Sequence, residues 1–307
     1  MNRIRQPWVT VLGIVVSSQL LAQTADTSRV EPNVVYGMYS GLALLMDVHR
    51  PAQPNGYGII FVGGSGWTSP LAYDAPALKQ TPQVELYGKP LLDAGFTVFA
   101  INHRAAPRFR YPAAVEDAQR AVRFIRYNAK RFGIRPDRIG AVGGSSGGYL
   151  VSMLGTMDGT GDAGDPDPIN HQSAKVQCVV ARAANSDLLN VTGGGPAMIS
   201  FLGMILSAGA SPPPPTSLEY RTFRDASPIH YVTKDDPPFL LMHGDADPIV
   251  PIKHSEVMEQ ALKAAGVPTK FLRVAGGGHG PTFSGATNPP DYLGEMVRWL
   301  ETHLKVK

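Results

Sequence analysis

Ile139-Gly140-Ala141-Val142-Gly143-Gly144-Ser145-Ser146-Gly147-Gly148-Tyr149-Leu150-Val151-Ser152-Met153-Leu154 decides the fold. Ile139 to Val142 reads as a short buried strand, and Tyr149 onward as the start of a helix. The glycine-lined turn between them has the layout of a nucleophile elbow, in which a Ser sits on a strained turn from strand to helix. Such a turn tolerates only small residues two places before and after the Ser. The pattern is met twice, as Gly143-x-Ser145-x-Gly147 and as Gly144-x-Ser146-x-Gly148. Local sequence thus announces a Ser nucleophile and leaves two registers open.

Around this turn, apolar strands alternate with amphipathic helices. Val34 to Tyr39 and Leu42 to Val48 read as antiparallel edge strands joined at Ser40-Gly41. Tyr57 to Val62 and Phe96 to Ile101 read as buried strands, with a helix over Val84 to Ala94 between them. Val115, Ala118, Val122, Ile125, Ala129 and Phe132 recur at helical spacing, with Pro112 suited to the first turn and Gly133 to the C-cap. Strands over Val176 to Ala181, Phe239 to Met242 and Thr269 to Val274 follow, with helices over Ile252 to Ala265 and Asp291 to Leu304. This alternation predicts an α/β fold with one mostly parallel central sheet flanked by helices.

Composition narrows the class. The 307 residues are 43% hydrophobic and 17% charged, an ordinary globular balance. Arg3 and Arg5 precede the apolar run Trp8 to Val16, and Ala22 offers a cleavage point, so residues 1–22 read as a signal peptide and the protein as exported. The run is too short to span a bilayer comfortably, and no stable membrane insertion is expected after cleavage. Removing the two arginines takes the net charge from +3 to 3 − 2 = +1, which argues against nucleic acid or an anionic membrane as partner. Cys178, the single cysteine, lies in an apolar strand and reads as a core residue. The acidic stretch Asp158 to Asn170 reads as a solvated loop. Asn190 to Arg224 holds an apolar stretch between glycines and prolines and reads as a lid insertion.

A nucleophilic Ser needs a base, a carboxylate to orient the base, and donors for an oxyanion. In elbow-type hydrolases the acid and then the base follow the Ser along the chain. The strand Phe239 to Met242 runs into His243-Gly244-Asp245-Ala246-Asp247, where both Asp245 and Asp247 suit the acid. His279, in Gly276-Gly277-Gly278-His279-Gly280, is the candidate base. His243 is fixed in the acid turn, His254 and His303 lie on helices, and the other histidines precede the acid. Gly63-Gly64-Ser65-Gly66-Trp67 follows an early strand and can turn N–H groups toward the Ser.

These residues resemble α/β-hydrolase fold esterases of the hormone-sensitive-lipase and feruloyl/acetyl-xylan (BD-FAE-like) type, from about Leu44 to the C-terminus. Leu45-Met46-Asp47-Val48-His49-Arg50-Pro51 is similar to that family's LDVYRP strand, and 143–148 to its G-x-S-A-G-G elbow. His243-Gly244-x-x-Asp247-x-x-Val250-Pro251 is similar to its HGxxDxxVP acid turn. The resemblance implies Ser145 as nucleophile, Asp247 as acid and His279 as base, with residues 23–307 as one hydrolase domain. It implies oxyanion donors at the backbone N–H groups of Ser65, Gly66 and Ser146, and no metal or organic cofactor. The family's HGGGW oxyanion motif departs here at its first residue, which is Gly63.

The expected function is a serine carboxylic-ester hydrolase working through an acyl-enzyme, on small acyl or polysaccharide-linked esters. Two alternatives remain at this stage. A prolyl-oligopeptidase-like peptidase shares the order of the three residues but usually carries a large N-terminal domain. A non-catalytic binding protein of this fold would not need all three positions filled.

Overall fold

The structure is a computed structural model that describes residues 29–191, 195–203 and 213–305. The signal peptide expected at 1–22 and parts of the expected lid insertion lie outside these residues. Eight strands form one sheet: β1 (Arg29–Tyr39), β2 (Leu42–Arg50), β3 (Gly58–Val62), β4 (Thr97–Ile101), β5 (Ile139–Gly144), β6 (Cys178–Arg182), β7 (Phe239–Gly244) and β8 (Thr269–Val274). Their order is β1-β2-β4-β3-β5-β6-β7-β8. The β1–β2 and β2–β4 pairs are antiparallel, and every other pair is parallel.

The helices among the described residues are α1 (Pro82–Asp93), α2 (Ala113–Tyr127), α3 (Ala129–Phe132), α4 (Ser146–Thr156), α5 (Gly195–Leu202), α6 (Leu218–Asp225), α7 (Lys253–Ala264) and α8 (Tyr292–Leu304). Side chains alternate across a strand, so each central strand feeds two cores. Ile60, Val62, Ala141, Val179, Ala181, Phe239 and Leu241 pack with α2, α4 and α7. Ile59, Phe61, Val142, Cys178, Val180, Leu240 and Met242 pack with α1 and α8. Cys178 is buried as read from the sequence, and burial pushes its thiol pKa up.

The structure departs from the sequence reading in three elements. The long helix before the elbow stops at Asn128, whose backbone N–H and side-chain Nδ2 both donate to Phe124 O, at 3.0 and 2.9 Å. The chain then resumes as α3, and Gly133 caps it in the left-handed conformation at φ 68°. The apolar stripe stays in register across the break, so Ala129 and Phe132 are still buried. β1 begins five residues earlier than expected, at Arg29, and two irregularities in its pairing with β2 blur the alternation that would reveal it. The helix after the elbow begins at Ser146, three residues earlier than expected. No helix among the described residues is long and apolar enough to cross a membrane.

His254 on α7 is fully buried. Its Nδ1 accepts from the N–H groups of Ser186 and Asp187 at 3.2 and 3.3 Å, an arrangement that suits the neutral ring. Burial lowers its pKa to about 4, against a partial rise from Asp187 and with a further push down from His243. An unfolded His titrates near 6.5, so between about pH 6.5 and 4 the unfolded chain binds more protons than the folded one. Stability is then full above about 6.5 and falls by about 3 kcal/mol as pH drops to 4. Melting temperatures measured across this range should fall more steeply in the native protein than in His254→Gln.

Candidate active site

The carboxyl ends of β3, β5, β7 and β8 meet at one edge of the sheet, where open α/β sheets place their sites. β5 runs into Ser145, which adopts φ 56° and ψ −123°, and α4 starts at the next residue. A non-glycine residue at this φ is strained, and the surroundings over-determine it. Ser145 N–H donates to Arg182 O at 2.8 Å, and Tyr149 N–H donates back to Ser145 O at 2.9 Å. A Cβ at Gly147 would run into Val62 O, so the turn is pressed against the end of β3. Ser145 is half-buried between fully buried neighbours.

His279 reaches this serine from the loop after β8. Its Nε2 lies 2.9 Å from Ser145 Oγ and its Nδ1 2.7 Å from Asp247 Oδ2. Of the two aspartates left open by position, Asp247 meets the imidazole. Asp245 instead accepts from Gly276 N–H at 2.7 Å and pairs with Arg273 at 3.3 Å. Asp247 Oδ1 accepts from the N–H groups of Ile249 and Val250, at 2.8 and 2.9 Å. Burial pushes the Asp247 pKa up, but hydrogen bonds from His243, His279, Val250 and Ile249 prevail and hold it well below the usual carboxylate range. With Nδ1–H donated to this carboxylate, Nε2 is free to accept the Ser145 proton. The arrangement is thus able to generate a serine alkoxide equivalent and to store the proton on a charge-compensated ring.

Three residues support the site: His243, which the sequence placed beside the acid without a role, and Arg182 and Tyr87, which it did not single out. His243, fully buried, places Nε2 3.0 Å from Val250 O and 3.2 Å from Asp247 Oδ2, and Nδ1 2.7 Å from Ser255 Oγ. If Nε2 carries the proton, it braces the acid turn, and Nδ1 is left to accept from Ser255. Arg182, at the end of β6 and 2% exposed, donates to His279 O at 2.7 Å and Gly280 O at 3.3 Å, so a buried cation secures the base loop. Tyr87 on α1 donates to Pro281 O at 2.8 Å in the same loop. Arg182 and Tyr87 carry no local signal of these contacts, because their partners lie 97 and 194 residues away, respectively.

The loop after β3 passes directly over the elbow. A Cβ at Gly64 would lie 2.6 Å from Gly144 O and 3.0 Å from Ser145 Cβ. Gly66 has φ 64°, a conformation that favours glycine. The three expected oxyanion donors are not equivalent. Ser65 N–H already donates to Ser146 Oγ at 2.9 Å. Gly66 N–H meets no acceptor among the described residues, and Ser146 N–H opens α4, where a helix has none of its own. Helix α5 sits above: Ala197 Cβ is 3.1 Å from where a Gly66 side chain would begin, and Phe201 stacks on Trp67 at 4.7 Å. A cavity of about 1050 Å³ between β2 and α1, lined by Asp47, His49, Lys79 and Glu85, is not lined by Ser145, Asp247 or His279. No group of three or more His, Cys, Asp or Glu side chains able to hold a metal lies among the described residues.

Comparison with known proteins agrees with this architecture. The chain is 30% identical over 256 residues to the Mycobacterium tuberculosis protein named esterase LipQ, covering 81% of this chain and 54% of that one. It is 28% identical to esterase LipC of the same organism, covering 80% and 59%. The chain thus spans somewhat over half the length of these curated relatives. Among solved structures, a truncated carbohydrate esterase from gut microbiota superposes with a TM-score of 0.72 at 28% identity, covering 91% of this chain and 98% of that one. An acetyl ester-xyloside bifunctional hydrolase from Caldicellulosiruptor lactoaceticus does so at 0.69 and 28%, covering 85% and 87%. The BD-FAE family matches residues 46–262, a span that takes in the elbow and the acid turn and ends before His279. With most of the sheet inside that span, the chain belongs to the BD-FAE family of α/β-hydrolase-fold proteins.

Proposed function

We propose that this protein is a serine carboxylic-ester hydrolase in which Ser145, His279 and Asp247 form the catalytic triad. The observation that carries the reading is the continuous contact chain from Asp247 Oδ2 through the imidazole to Ser145 Oγ, at 2.7 and 2.9 Å. Ser145 Oγ attacks the ester carbonyl as His279 Nε2 takes its proton. Asp247 orients the ring and stabilises the imidazolium. The tetrahedral oxyanion is held by the N–H groups of Gly66 and Ser146, with Ser65 next to them, at the positive end of α4. His279 then protonates the leaving alkoxide. Water, deprotonated by the same ring, attacks the acyl-enzyme and releases the acid.

The substrate proposed is a small acyl ester, carried on an alcohol or a carbohydrate, met outside the cytoplasm after removal of residues 1–22. Similar solved structures named as a carbohydrate esterase and as an acetyl ester-xyloside bifunctional hydrolase support this choice. The 190–224 insertion is proposed as the lid. Its helix α5 roofs the oxyanion loop, which suits a short acyl group beneath it. The test is hydrolysis of p-nitrophenyl esters from acetate to decanoate, beside acetyl-xylan, a feruloyl ester and a prolyl amide. Turnover of acetate to butyrate well above decanoate, with the amide untouched, is expected. Preference for the amide would replace this reading with a peptidase.

A further inference from the structure

The loop that carries the oxyanion donors is held from two sides by side chains outside the proton path. Gln83, in the first turn of α1, accepts from Gly64 N–H through Oε1 at 3.0 Å, and its Nε2 approaches Gly64 O at 3.5 Å. Ser146 Oγ accepts from Ser65 N–H at 2.9 Å. Downstream, Ala106 N–H bonds Trp67 O at 2.8 Å, and Thr68 Oγ1 bonds Ser65 O at 3.0 Å. Ahead of Gly66, then, the N–H groups of Gly64 and Ser65 are tied down by Gln83 and Ser146. No prop can come from residue 63 itself. A Cβ there would stand 2.7 Å from Thr81 Oγ1 and 3.2 Å from Leu78 O.

We propose that Gln83 and Ser146 are positioning residues that clamp the loop, so that Gly66 N–H and Ser146 N–H face the oxyanion while Ser65 N–H acts as the tether. The inference rests on the esterase reading above. Its physical basis is that an oxyanion donor acts only when its direction is set before charge develops. A peptide plane free to rotate spends part of that advantage on reordering. Ser146 has two roles on this account: its N–H is a donor and its hydroxyl an anchor. Gln83 touches neither substrate nor triad and acts only through the loop.

The experiment is steady-state kinetics on p-nitrophenyl acetate with Gln83→Leu, Gln83→Glu, Ser146→Ala and the Leu/Ala double variant, each checked by thermal melting. Gln83→Leu is expected to lower kcat about tenfold with KM within about twofold, because the lost interaction matters in the transition state. Gln83→Glu keeps an acceptor for Gly64 N–H and should recover most of that loss. Ser146→Ala should lower kcat about fivefold, and the double variant should depart from the product of the two effects, since both hold one loop. The rate of covalent labelling by a phosphonate should fall in parallel. A folded Gln83→Leu with native kcat overturns the clamp. If that variant does not fold, native kcat in Ser146→Ala overturns it. A native protein without esterase activity sinks the functional reading and the clamp together; an active one with indifferent variants sinks the clamp alone.

Discussion

Ser145→Ala should reduce ester hydrolysis by a factor on the order of 10⁴ to 10⁶, whereas Ser146→Ala should cost no more than about tenfold. The two hydroxyls are neighbours in sequence and each sits in a G-x-S-x-G frame, so the contrast is a test of register. Ser145 Oγ faces His279 Nε2 at 2.9 Å. Ser146 Oγ faces Ser65 N–H at 2.9 Å and belongs to a residue only 1% exposed. The backbone explains the difference. At φ 56° and ψ −123° Ser145 is the corner itself, where the side chain projects from the end of the sheet. Ser146 is already the first residue of α4, its side chain turned into the fold. Removing the Ser145 hydroxyl deletes the proposed nucleophile, and what should survive is the rate that donors and binding provide over water. The measurement is kcat/KM on a short-chain ester, with mass spectrometry of the phosphonate-labelled protein to locate the adduct. An adduct on Ser146, or an active Ser145→Ala, would reverse the register.

Much of the candidate site is legible in the sequence. The elbow is legible because its constraint is local: glycines are needed wherever a Cβ would meet backbone a few residues away, as at Gly147 against the end of β3. Acid and base follow the elbow in a set order, so His279 stood out in its glycine-rich loop, whereas position alone left Asp245 and Asp247 both open and the family resemblance chose between them. What stayed hidden depends on contacts between distant segments. Nothing around Arg182 signals that its guanidinium will hold the carbonyls of His279 and Gly280. His243 looked like a neighbour of the acid; its place 3.2 Å from Asp247 Oδ2 emerges only when the turn folds back over it. The α2–α3 break was invisible for a different reason. The apolar stripe continues in phase through Asn128, so periodicity carries no trace of an interruption made by one side-chain bond to Phe124 O.

Asp247→Asn should lower kcat on the order of 10⁴-fold with KM little changed, while Asp245→Asn should stay within about threefold of the native protein. Both carboxylates stand in one turn, separated by Ala246, so their environments decide. The Asp247 side chain is fully shielded from solvent and takes hydrogen bonds from His279, Ile249 and Val250. Asp245 is exposed, and its partner Arg273 is half-exposed, where an ion pair contributes little. An amide at 247 keeps the shape but carries an N–H₂ in place of one acceptor oxygen. Turned to accept from His279 Nδ1–H, it stabilises no imidazolium. Turned the other way, it donates to Nδ1, which shifts the ring proton to Nε2 and leaves no base for Ser145. The same substitution should change the acid stability of the protein. Because the folded-state pKa of Asp247 is depressed, its contribution is present above the unfolded value near 3.9 and is lost as pH falls below it. Asp247→Asn should therefore unfold with a shallower dependence on pH in that acid range than the native protein. A 10⁴-fold loss in Asp245→Asn with an active Asp247→Asn would move the acid to the other carboxylate and break the contact chain on which the mechanism stands.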